Sequence, residues 1–418
     1  MQSSYPNLRH IRLFAAAVTY SSLTRAAESV HVSQPAASQA ISRLEAQFGG
    51  TLLERLGTGV RPTARGTIVA RRARRSLELL RSASTALARQ SRKPPVQRPD
   101  GGVSDRIHGA PSGDLLEVHT TSTQLRALAA FTETGTFQGA ARLLGQAEPS
   151  VQRAARQLER VGGVPLFDGA YRALRLTPAG AMLARHAHLI LREFESAVEE
   201  VREYDGQFDG RIIIGTLPLV RTRIVPSAVA GLSGRRPDAR VEILDGDYDS
   251  LVRALLIGKI DLLVGALRHR AAERGLVEET LFSDGLSIIA RAGHPLLQKA
   301  SVNHQDLAEY PWVLPREGTP TRAIFDALAR DFPPHRCVGG PIVTGSLIAV
   351  RGILMQTDRL TILSRQQIEY DEQAGLLQVV PFALDHSERP IGMTTRSDWQ
   401  PTALQREFLA ILREAARD

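Results

Sequence analysis

Scarcity of cysteine is the first constraint on this chain of 418 residues. Its single cysteine, Cys337, excludes an intramolecular disulfide and a cage of thiolate ligands around a metal. No apolar run approaches the roughly 18 residues that a membrane-spanning helix needs. Residues 1–12 lack the apolar core and cleavage site of a secretory signal. We therefore expect a cytoplasmic protein that does not enter a membrane.

Constellations typical of catalysis are also missing. His186 and His188 are two residues apart on a predicted helix, so they point to different faces and do not share a metal. The acidic turn at 245–247 lacks the longer ligand series of a cation loop and is better explained as the end of a strand. His335 lies near Cys337 without a third group that would complete a nucleophilic site. The sequence predicts no catalytic residue, no metal site and no cofactor.

Charge is present but unevenly placed. The formal net charge is +8, and the residues up to Lys93 hold fifteen Lys and Arg against four Asp and Glu. This stretch therefore carries +11, and the rest of the chain carries −3. A basic end on a near-neutral body is typical of a protein that binds a polyanion, although a solvated basic surface would give the same count. The length allows about three domains.

The most informative feature is an internal repeat. Residues 11–73 align without a gap with residues 125–187, at an offset of 114 and with 17 identities in 63 positions. The identities include Ala26-Ala27, Pro35, Leu44-Glu45, Gly49, Leu52, Thr63 and Gly66 of the first block. Such a register is not expected from similar composition alone, and these are positions that a helix-turn-helix needs.

In the first block, the pattern predicts a helix over residues 34–47 with one apolar and one polar face. Ser33 precedes it as an N-cap, and Pro35 lies in the first turn, where its missing N–H costs little. The apolar face consists of Ala37, Ile41 and Leu44. The opposite face carries Gln34, Ser38, Gln39, Ser42 and Arg43.

The polar face suits a DNA major groove, because glutamine and arginine form paired bonds with adenine and guanine edges. Ser33 and Ser38 are expected to reach phosphates or bases. The segment 55–63 resembles a wing that contacts the DNA backbone, and we include Arg55, Arg61, Thr63 and Arg65 there. The alternative is an ordinary solvated helix face in a helical bundle.

These residues resemble the N-terminal winged helix-turn-helix of LysR-type transcriptional regulators. The resemblance is carried by Ala26-Ala27, Gly49 and the segments 32–38, 41–45, 52–55 and 61–66. It implies that the helix over residues 34–47 enters the major groove. It also implies that Gln34, Pro35, Ser38 and Gln39 lie near base edges.

The second block resembles the same domain in its scaffold, but its polar face departs from the pattern. Glu148 replaces the glutamine, and residues 145–147 replace the turn that carries the capping hydroxyl. A carboxylate is repelled by phosphates, although it accepts a bond from cytosine. Gln152, Arg153 and Arg156 remain on the outward face. This block therefore either binds DNA with altered specificity or retains its fold for assembly only.

After each block an apolar stripe follows a heptad spacing, which is typical of helices that associate in pairs. In the second block the stripe comprises Leu183, Ala187, Ile190, Phe194, Ala197, Val201 and Tyr204. In the first it comprises Val69, Ala73, Leu80, Ala83 and Leu87. Both the spacing and the family resemblance favour a homodimer or tetramer through these linker helices. The first stripe either pairs with another subunit or folds onto the second block of its own chain.

The composition suggests four segments. We expect a first winged helix-turn-helix with its linker helix over 1–92, a flexible linker over 93–122 that is rich in glycine and proline, and a second such domain over 123–205. From residue 206 short strands alternate with helices, which predicts a parallel α/β sheet. This half, 206–418, resembles the family's effector-binding domain, which is similar to periplasmic binding proteins, with lobe one at 211–289 and 390–418 and lobe two at 290–389.

Ligands of open parallel sheets bind at the carboxyl ends of strands, near the N-termini of helices. This rule selects loops whose candidate effector-binding residues are Thr216, Leu217, Pro218, Gly265, Thr319, Thr344 and Ser346. The hydroxyl groups among them are equally explained as plain helix caps. The resemblance favours a sugar or organic acid as the effector.

The sequence thus predicts two tandem all-α winged helix-turn-helix domains followed by an α/β two-lobed effector domain. The expected function is sequence-specific binding of double-stranded DNA under the control of a small molecule, with RNA polymerase as a further partner. The alternative is a solute-sensing module whose helical blocks serve assembly only. No enzyme is expected.

Overall fold

The duplicated sequence folds twice into the same order of helices and strands. The computed structural model describes residues 5–91, 113–169, 173–268, 275–333, 339–385 and 387–417. The first block contains α1 (Leu8–Tyr20), α2 (Leu23–Ser29), α3 (Gln34–Gln47), β1 (Leu53–Leu56), β2 (Gly59–Pro62) and α4 (Ala64–Ser91). The second, which follows α5 (Gly113–His119), contains α6 (Ser122–Thr134), α7 (Phe137–Leu144), α8 (Glu148–Gly162), β3 (Phe167–Asp168), β4 (Arg175–Leu176) and α9 (Pro178–Tyr204).

The repeat extends to the hydrogen bonds that join each wing to its helices. Glu45 Oε1 accepts from the N–H of Leu52 at 2.9 Å, and Glu159 Oε1 accepts from the N–H of Leu166 at 2.7 Å. The identities at these positions are therefore explained by the scaffold, because each buried amide needs an acceptor.

The turns of the two blocks also share a backbone conformation. Ser21 and His31 have positive φ angles of 51° and 54°, and their equivalents in the second block are Gly135 and Gly145, at 72° and 62°. Glycine is the residue that adopts this left-handed region without a steric penalty. The changed turn of the second block therefore preserves the fold.

The two linker helices, α4 and α9, pack against each other in antiparallel orientation within the chain. Arg65 at the start of α4 bonds to Asp205, which follows α9, with an Nη2–Oδ1 distance of 2.5 Å. Arg72 is 2% exposed and bonds to both Glu200 and Glu193 at 2.9 Å. The stripes predicted for both linker helices are buried in one core that spans both blocks, except for Tyr204, which is exposed.

The structure therefore shows that the linker helix of the first block folds onto the second block of its own chain. The stripe of α9 was expected to pair two subunits, whereas here it packs on α4 of its own chain. The physical reason is that α4 offers an apolar stripe of matching spacing together with the cationic partners of two carboxylates on α9.

The predicted linker over 93–122 is shorter than expected at its C-terminal end. Residues 93–112 lie outside the described residues, and α5 occupies part of the remainder. α5 packs between α4 and α8, where Leu116 is buried in the common core. This apolar contact is the reason that the segment is helical.

The C-terminal half forms a separate compact unit. The chain divides into Met1–Gly210 with Leu256–Lys259 and Arg211–Leu255 with Ile260–Asp418. The first sheet of this unit has the order β6-β5-β7-β14-β8. Its strands are β5 (Arg211–Thr216), β6 (Arg240–Asp245), β7 (Leu262–Ala266), β8 (Leu276–Asp284) and β14 (Arg389–Arg396). Its helices are α10 (Ile224–Arg235), α11 (Tyr248–Leu256) and the final α16 (Ala403–Ala415), which Thr402 caps.

The second lobe contains a sheet of order β12-β9-β13 and a short pair, β10 with β11. The strands are β9 (Leu286–Arg291), β10 (Val313–Leu314), β11 (Ile342–Val343), β12 (Thr361–Ser364) and β13 (Leu377–Val379). The helices are α12 (His304–Ala308), α13 (Pro320–Leu328), α14 (Leu347–Leu354) and α15 (Arg365–Gln373).

Two expectations about this half were wrong in detail. The sheet is mixed, because β14 runs antiparallel to β7 and β8, and β9 runs antiparallel to β12 and β13. The lobe boundary lies at Gly285 instead of residue 289, since β9 pairs only with strands of the second lobe. β8 and β14, which the alternation of strands and helices does not predict, are the strands that connect the lobes. In the described part of the chain, no helix is long and apolar enough to cross a membrane.

A glycine at the junction of wing and linker helix tests this fold. A Cβ on Gly66 would lie 2.0 Å from the carbonyl oxygen of Leu52, whereas a Cβ on Gly57 would meet nothing within 4 Å. We expect Gly66→Ala to lower the free energy of unfolding by about 3 kcal/mol, because backbone atoms must move, and Gly57→Ala to change it by less than about 0.5 kcal/mol. Urea denaturation measures both, and equal stability of the two variants would contradict the described junction.

Candidate nucleic-acid interface and effector site

The N-terminal half of α3 is an exposed polar surface with a capped end. Ser33 Oγ accepts from the N–H of Ala36 at 3.4 Å, and Pro35 follows in the first turn. The face of Ala37, Ile41 and Leu44 is buried as the spacing predicts. On the other face Gln34, Pro35, Gln39 and Arg43 are exposed, and Ser38 is half-buried. A capped helix N-terminus with exposed amide and guanidinium groups has the chemistry to bind phosphates and base edges.

Cationic charge surrounds this end of the first block. Burial, followed by the charges of Arg43 and Arg9, lowers the pKa of His10. The positive charge at this end of the block is therefore supplied by the arginines. The wing adds an exposed Arg55 and Arg61, which is 68% exposed and bonds to Glu54 at 3.0 Å. An exposed pair of this kind contributes at most about 1 kcal/mol, so a phosphate can replace the carboxylate.

Thr63 has a structural role that differs from the predicted one. Its hydroxyl donates to the carbonyl oxygen of Thr51 at 2.8 Å and accepts from the N–H of Gly66 at 2.9 Å. Thr177 makes the equivalent bonds in the second block, at 2.7 and 3.0 Å. The contact of Thr63 with DNA stays a prediction, and the hydroxyl also joins the wing to the linker helix. Arg65 is likewise engaged, by the carbonyl oxygen of Phe48 and by Asp205.

The equivalent surface on α8 is chemically different. Ala147 provides no side-chain cap, and Glu148 lies in the first turn. Arg153 is exposed and Gln152 is half-buried, so both lie on the outward face as expected. Arg156 turns back to its own scaffold, where its Nη1 is 2.8 Å from Glu159 Oε2 and its guanidinium lies 5.0 Å from the ring centroid of Phe167. Arg156 is therefore the weakest of the three candidates for DNA contact.

In the effector unit, the first two predicted loops come together at the carboxyl ends of parallel strands. Leu217 donates its N–H to the carbonyl oxygen of Val264 at 3.0 Å, and Pro218 then begins a short 3-10 helix. A Cβ on Gly265 would lie 2.6 Å from Leu217 Cβ. The positive φ of Gly265, 158°, and this close approach both require glycine.

Thr216 is fully buried and belongs to a polar network that the sequence did not reveal. Its Oγ1 accepts from Arg221 Nε at 3.1 Å and lies 3.3 Å from Asp245 Oδ1. Arg221 also lies 3.1 Å from Asp245. Burial lowers the pKa of Arg221, and the carboxylate of Asp245 opposes that effect. Asp245 ends β6, as the sequence indicated, and its carboxylate closes the network.

Of the three hydroxyls predicted in the second lobe, those of Thr319 and Ser346 cap helices, and that of Thr344 accepts a bond in the turn before α14. Thr319 Oγ1 accepts from the N–H of Arg322 at 3.3 Å, Thr344 Oγ1 from that of Ser346 at 3.1 Å, and Ser346 Oγ from that of Ala349 at 3.3 Å. β10 and β11 run parallel, so the loops that follow them begin at the same edge. The structure thus brings these loops together while using the hydroxyls for local bonds to the backbone.

A buried carboxyl group, Asp284, and a half-buried guanidinium, Arg389, occur where the lobes connect. Arg389, at the start of β14, donates to Thr321 Oγ1 at 3.2 Å, and its Nε has no hydrogen-bond partner among the described residues. Burial lowers the pKa of Arg389. Asp284 is paired with Arg389 in the sheet register; its Oδ1 accepts from Ser364 Oγ at 2.7 Å, and burial raises the pKa of its carboxyl group.

The sequence analysis did not find Asp284 and Arg389, because no spacing in the sequence distinguishes them. Of the groups considered for catalysis, His335 and Cys337 lie outside the described residues. Within the described ranges, no group of three or more His, Cys, Asp or Glu side chains is arranged to hold a metal ion.

Comparisons with known proteins agree with this architecture. Residues 205–417 match the family model described as LysR substrate binding domain. Residues 8–67 and 122–181 each match the model described as bacterial regulatory helix-turn-helix protein, lysR family. The helix-turn-helix domain is therefore recognised twice, at both copies of the repeat.

Relatives support the same family, and a solved structure shares the fold. HTH-type transcriptional regulator GalR of Pseudomonas putida is 30% identical over 413 residues, which cover 98% of this chain and 97% of GalR. HTH-type transcriptional regulator PcaQ of Agrobacterium fabrum is 30% identical over 281 residues, 66% of this chain and 89% of PcaQ. Full-length OxyR from Pseudomonas aeruginosa shares the fold, with a TM-score of 0.55 at 22% identity over 72% of this chain and 95% of that chain.

The matched models describe DNA binding by a helix-turn-helix and binding of a substrate by the C-terminal domain, and the relatives are regulators and not enzymes. The chain belongs to the LysR family of transcriptional regulators, with its helix-turn-helix domain present twice ahead of one effector-binding domain.

Proposed function

We propose that α3 reads DNA in the major groove and that the first block supplies most of the affinity. The observation that supports this most directly is the exposed set Gln34, Gln39 and Arg43 on a capped helix, inside a block with net positive charge. α8 contributes a weaker contact of different specificity, through Gln152 and Arg153, because Glu148 at its uncapped start repels phosphate. Arg55 and Arg61 bind the backbone beside α3.

Removing one arginine from each reading helix tests the asymmetry. With a duplex selected from a random pool by the full-length protein, we expect Arg43→Ala to weaken binding by about 10- to 100-fold. Arg153→Ala should weaken it by clearly less. Arg330→Ala, an exposed change in the effector unit, is the control and should bind like the unaltered protein. Fluorescence anisotropy measures the dissociation constants, and equal losses for Arg43→Ala and Arg153→Ala would rule out a dominant first block.

Salt dependence separates this function from a solute-sensing module whose helical blocks serve assembly only. Neutralised phosphates release counterions, so the logarithm of the association constant should fall linearly with the logarithm of salt concentration, with a slope of about −4 or steeper. The measurement is the same anisotropy titration between about 50 and 200 mM salt. A flat profile, or no binding to any duplex, would favour the assembly role.

We infer further that the effector is an organic acid and not a neutral sugar. Arg389 is a half-buried cation whose buried Nε has no hydrogen-bond partner among the described residues, and it contacts Thr321 at the beginning of α13, two residues after Thr319. Arg221 supplies a second partly buried cation beside Thr216. A carboxylate bound at such groups would satisfy the open donor and gain charge-assisted bonds. When clamped between the lobes, it would shift an equilibrium that DNA binding shares.

Thermal unfolding with a panel of aliphatic and aromatic carboxylic acids and neutral hexoses tests the effector class. We expect an acid, and no hexose, to raise the melting temperature, since a ligand that binds the folded state stabilises it. Arg389→Gln should abolish the shift, whereas Arg330→Gln should retain it. A hexose that raises the melting temperature equally in both variants would overturn the acid assignment. The coupling fails if the affinity for the acid is the same with and without the selected duplex.

A cytoplasmic location, self-association and a contact with RNA polymerase remain predictions. They are checked by cell fractionation, by sedimentation and by pull-down with purified polymerase.

A further inference from the structure

The two helical blocks meet through a pair of equivalent arginines, each of which contacts the segment that precedes the first helix of the other block. Arg12 in α1 donates to the carbonyl oxygens of Val118 and Thr120, just before α6, at 2.8 and 3.0 Å. Arg126, its equivalent in α6, lies over the ring of Tyr5, just before α1, at 5.3 Å from the ring centroid. A reciprocal arrangement, in which equivalent residues reach the same segment of the opposite block, is typical of an interface with twofold symmetry. The blocks are therefore related by an approximate internal twofold axis.

The linker helices follow the same symmetry. Arg65 bonds to Asp205, and this contact sets the register of the two antiparallel helices. In that register, Glu78 on α4 lies opposite Arg192 on α9, because each is the same number of residues from the Arg65–Asp205 contact. Glu78 and Arg192 are equivalent positions of the repeat, as an antiparallel pair around a twofold axis requires at its centre. In this register the buried stripes face each other as Val69 with Val201, Ala73 with Ala197, Leu80 with Ile190, Ala83 with Ala187 and Leu87 with Leu183.

Buried charges distinguish the pairing of α4 with α9 from a pairing of two α4 helices or of two α9 helices. Arg72 is buried between Glu193 and Glu200, yet the positions on α4 equivalent to these two carboxylates are Leu79 and Ala86. If α4 helices of two chains paired, each Arg72 would therefore lose both partners. If α9 helices paired, both carboxylates would face His186 in place of a guanidinium. A buried charge without a partner is costly, so the pattern selects α4 with α9 and disfavours the alternatives.

The packing of α4 on α9 leaves the polar faces of α3 and α8 exposed, and these two faces are chemically different. A Cβ on Gly162, at the C-terminal end of α8, would approach Leu87 and Leu116, so α5 covers that end and not the beginning of the helix. Gln39 on α3 and its equivalent Arg153 on α8 are both exposed. Glutamine favours adenine and arginine favours guanine. Two unlike base sequences suit the two helices.

We propose that one chain supplies both members of the reading pair. α3 and α8 of the same chain bind two unlike half-sites of one duplex, and the α4–α9 pair fixes their spacing. The binding of two half-sites rests on the DNA binding proposed above. The packing of α4 on α9 within one chain, which we call closure, does not depend on DNA binding and is tested without DNA.

Cysteine cross-linking of the full-length chain tests the closure. In a Cys337→Ser background, Ala73→Cys combined with Ala197→Cys should form a disulfide within one chain under mild oxidation, seen as a shifted monomer on a non-reducing gel. The matched control combines Ala73→Cys with Ala83→Cys, because Ala83 is the repeat equivalent of Ala197 and would meet Ala73 only if α4 paired with α4 of another chain. The control should remain unlinked.

Other results of the cross-linking overturn the closure. A product at dimer mass in either variant means that the helices pair between chains. No product in the first variant means that the two alanines are not opposed. Ala83→Cys with Ala187→Cys repeats the test at the other end of the helices, in case the first pair of substitutions prevents folding.

Selection of duplexes from a random pool by the full-length chain tests the reading of two half-sites. We expect a site with two parts of different sequence at a fixed spacing. Arg43→Ala should relax preference in one part and Arg153→Ala in the other. An inverted repeat of identical parts, or one part alone, overturns this inference while preserving the proposed DNA binding. Failure to select any duplex overturns both, and the cross-link then still reports on closure.

Discussion

The antiparallel packing of α4 on α9 is the interaction on which the rest of the N-terminal half depends. It buries the apolar stripes of both helices in a core common to the two blocks, and it encloses Arg72 with Glu193 and Glu200. Removing one partner of such a buried group typically costs about 3–5 kcal/mol, because the remaining charge is left without compensation. The same three residues therefore specify which helix pairs with which.

Much of the helical half could be predicted from the sequence, because its signals are local. The repeat register, the buried face of α3 and the caps follow from spacing and residue chemistry. The partner of each linker helix could not be predicted, since a heptad stripe has the same pattern whether it packs within a chain or between chains. The scaffold bonds of Thr63 were not predicted, because a residue identical in both blocks serves the scaffold as readily as it serves DNA.

In the effector half, strands that alternate with helices were recognised, whereas the connecting strands were not. β8 and β14 are far apart in the sequence and pair with each other in antiparallel orientation. Among the described elements, neither strand is directly preceded by a helix, so neither belongs to the strand–helix alternation that predicts a parallel sheet. The polar groups at the site divide in the same way. Thr216 and Gly265 lie at the carboxyl ends of strands, where the rule for open parallel sheets selects candidates. Arg221, Asp284 and Arg389 contact residues that the fold brings close, and no local pattern in the sequence marks them. Thr319 and Ser346 show that a hydroxyl at the start of a helix is first of all a cap.

The central claim is that a single chain carries a complete pair of reading helices. The most direct measurement is a titration of a duplex containing the selected site with the full-length protein, at concentrations far above the dissociation constant, with hydroxyl-radical footprinting at saturation. The account predicts that two half-sites are protected for each chain bound, whatever the number of chains in the assembly. Protection of one half-site for each chain would contradict it.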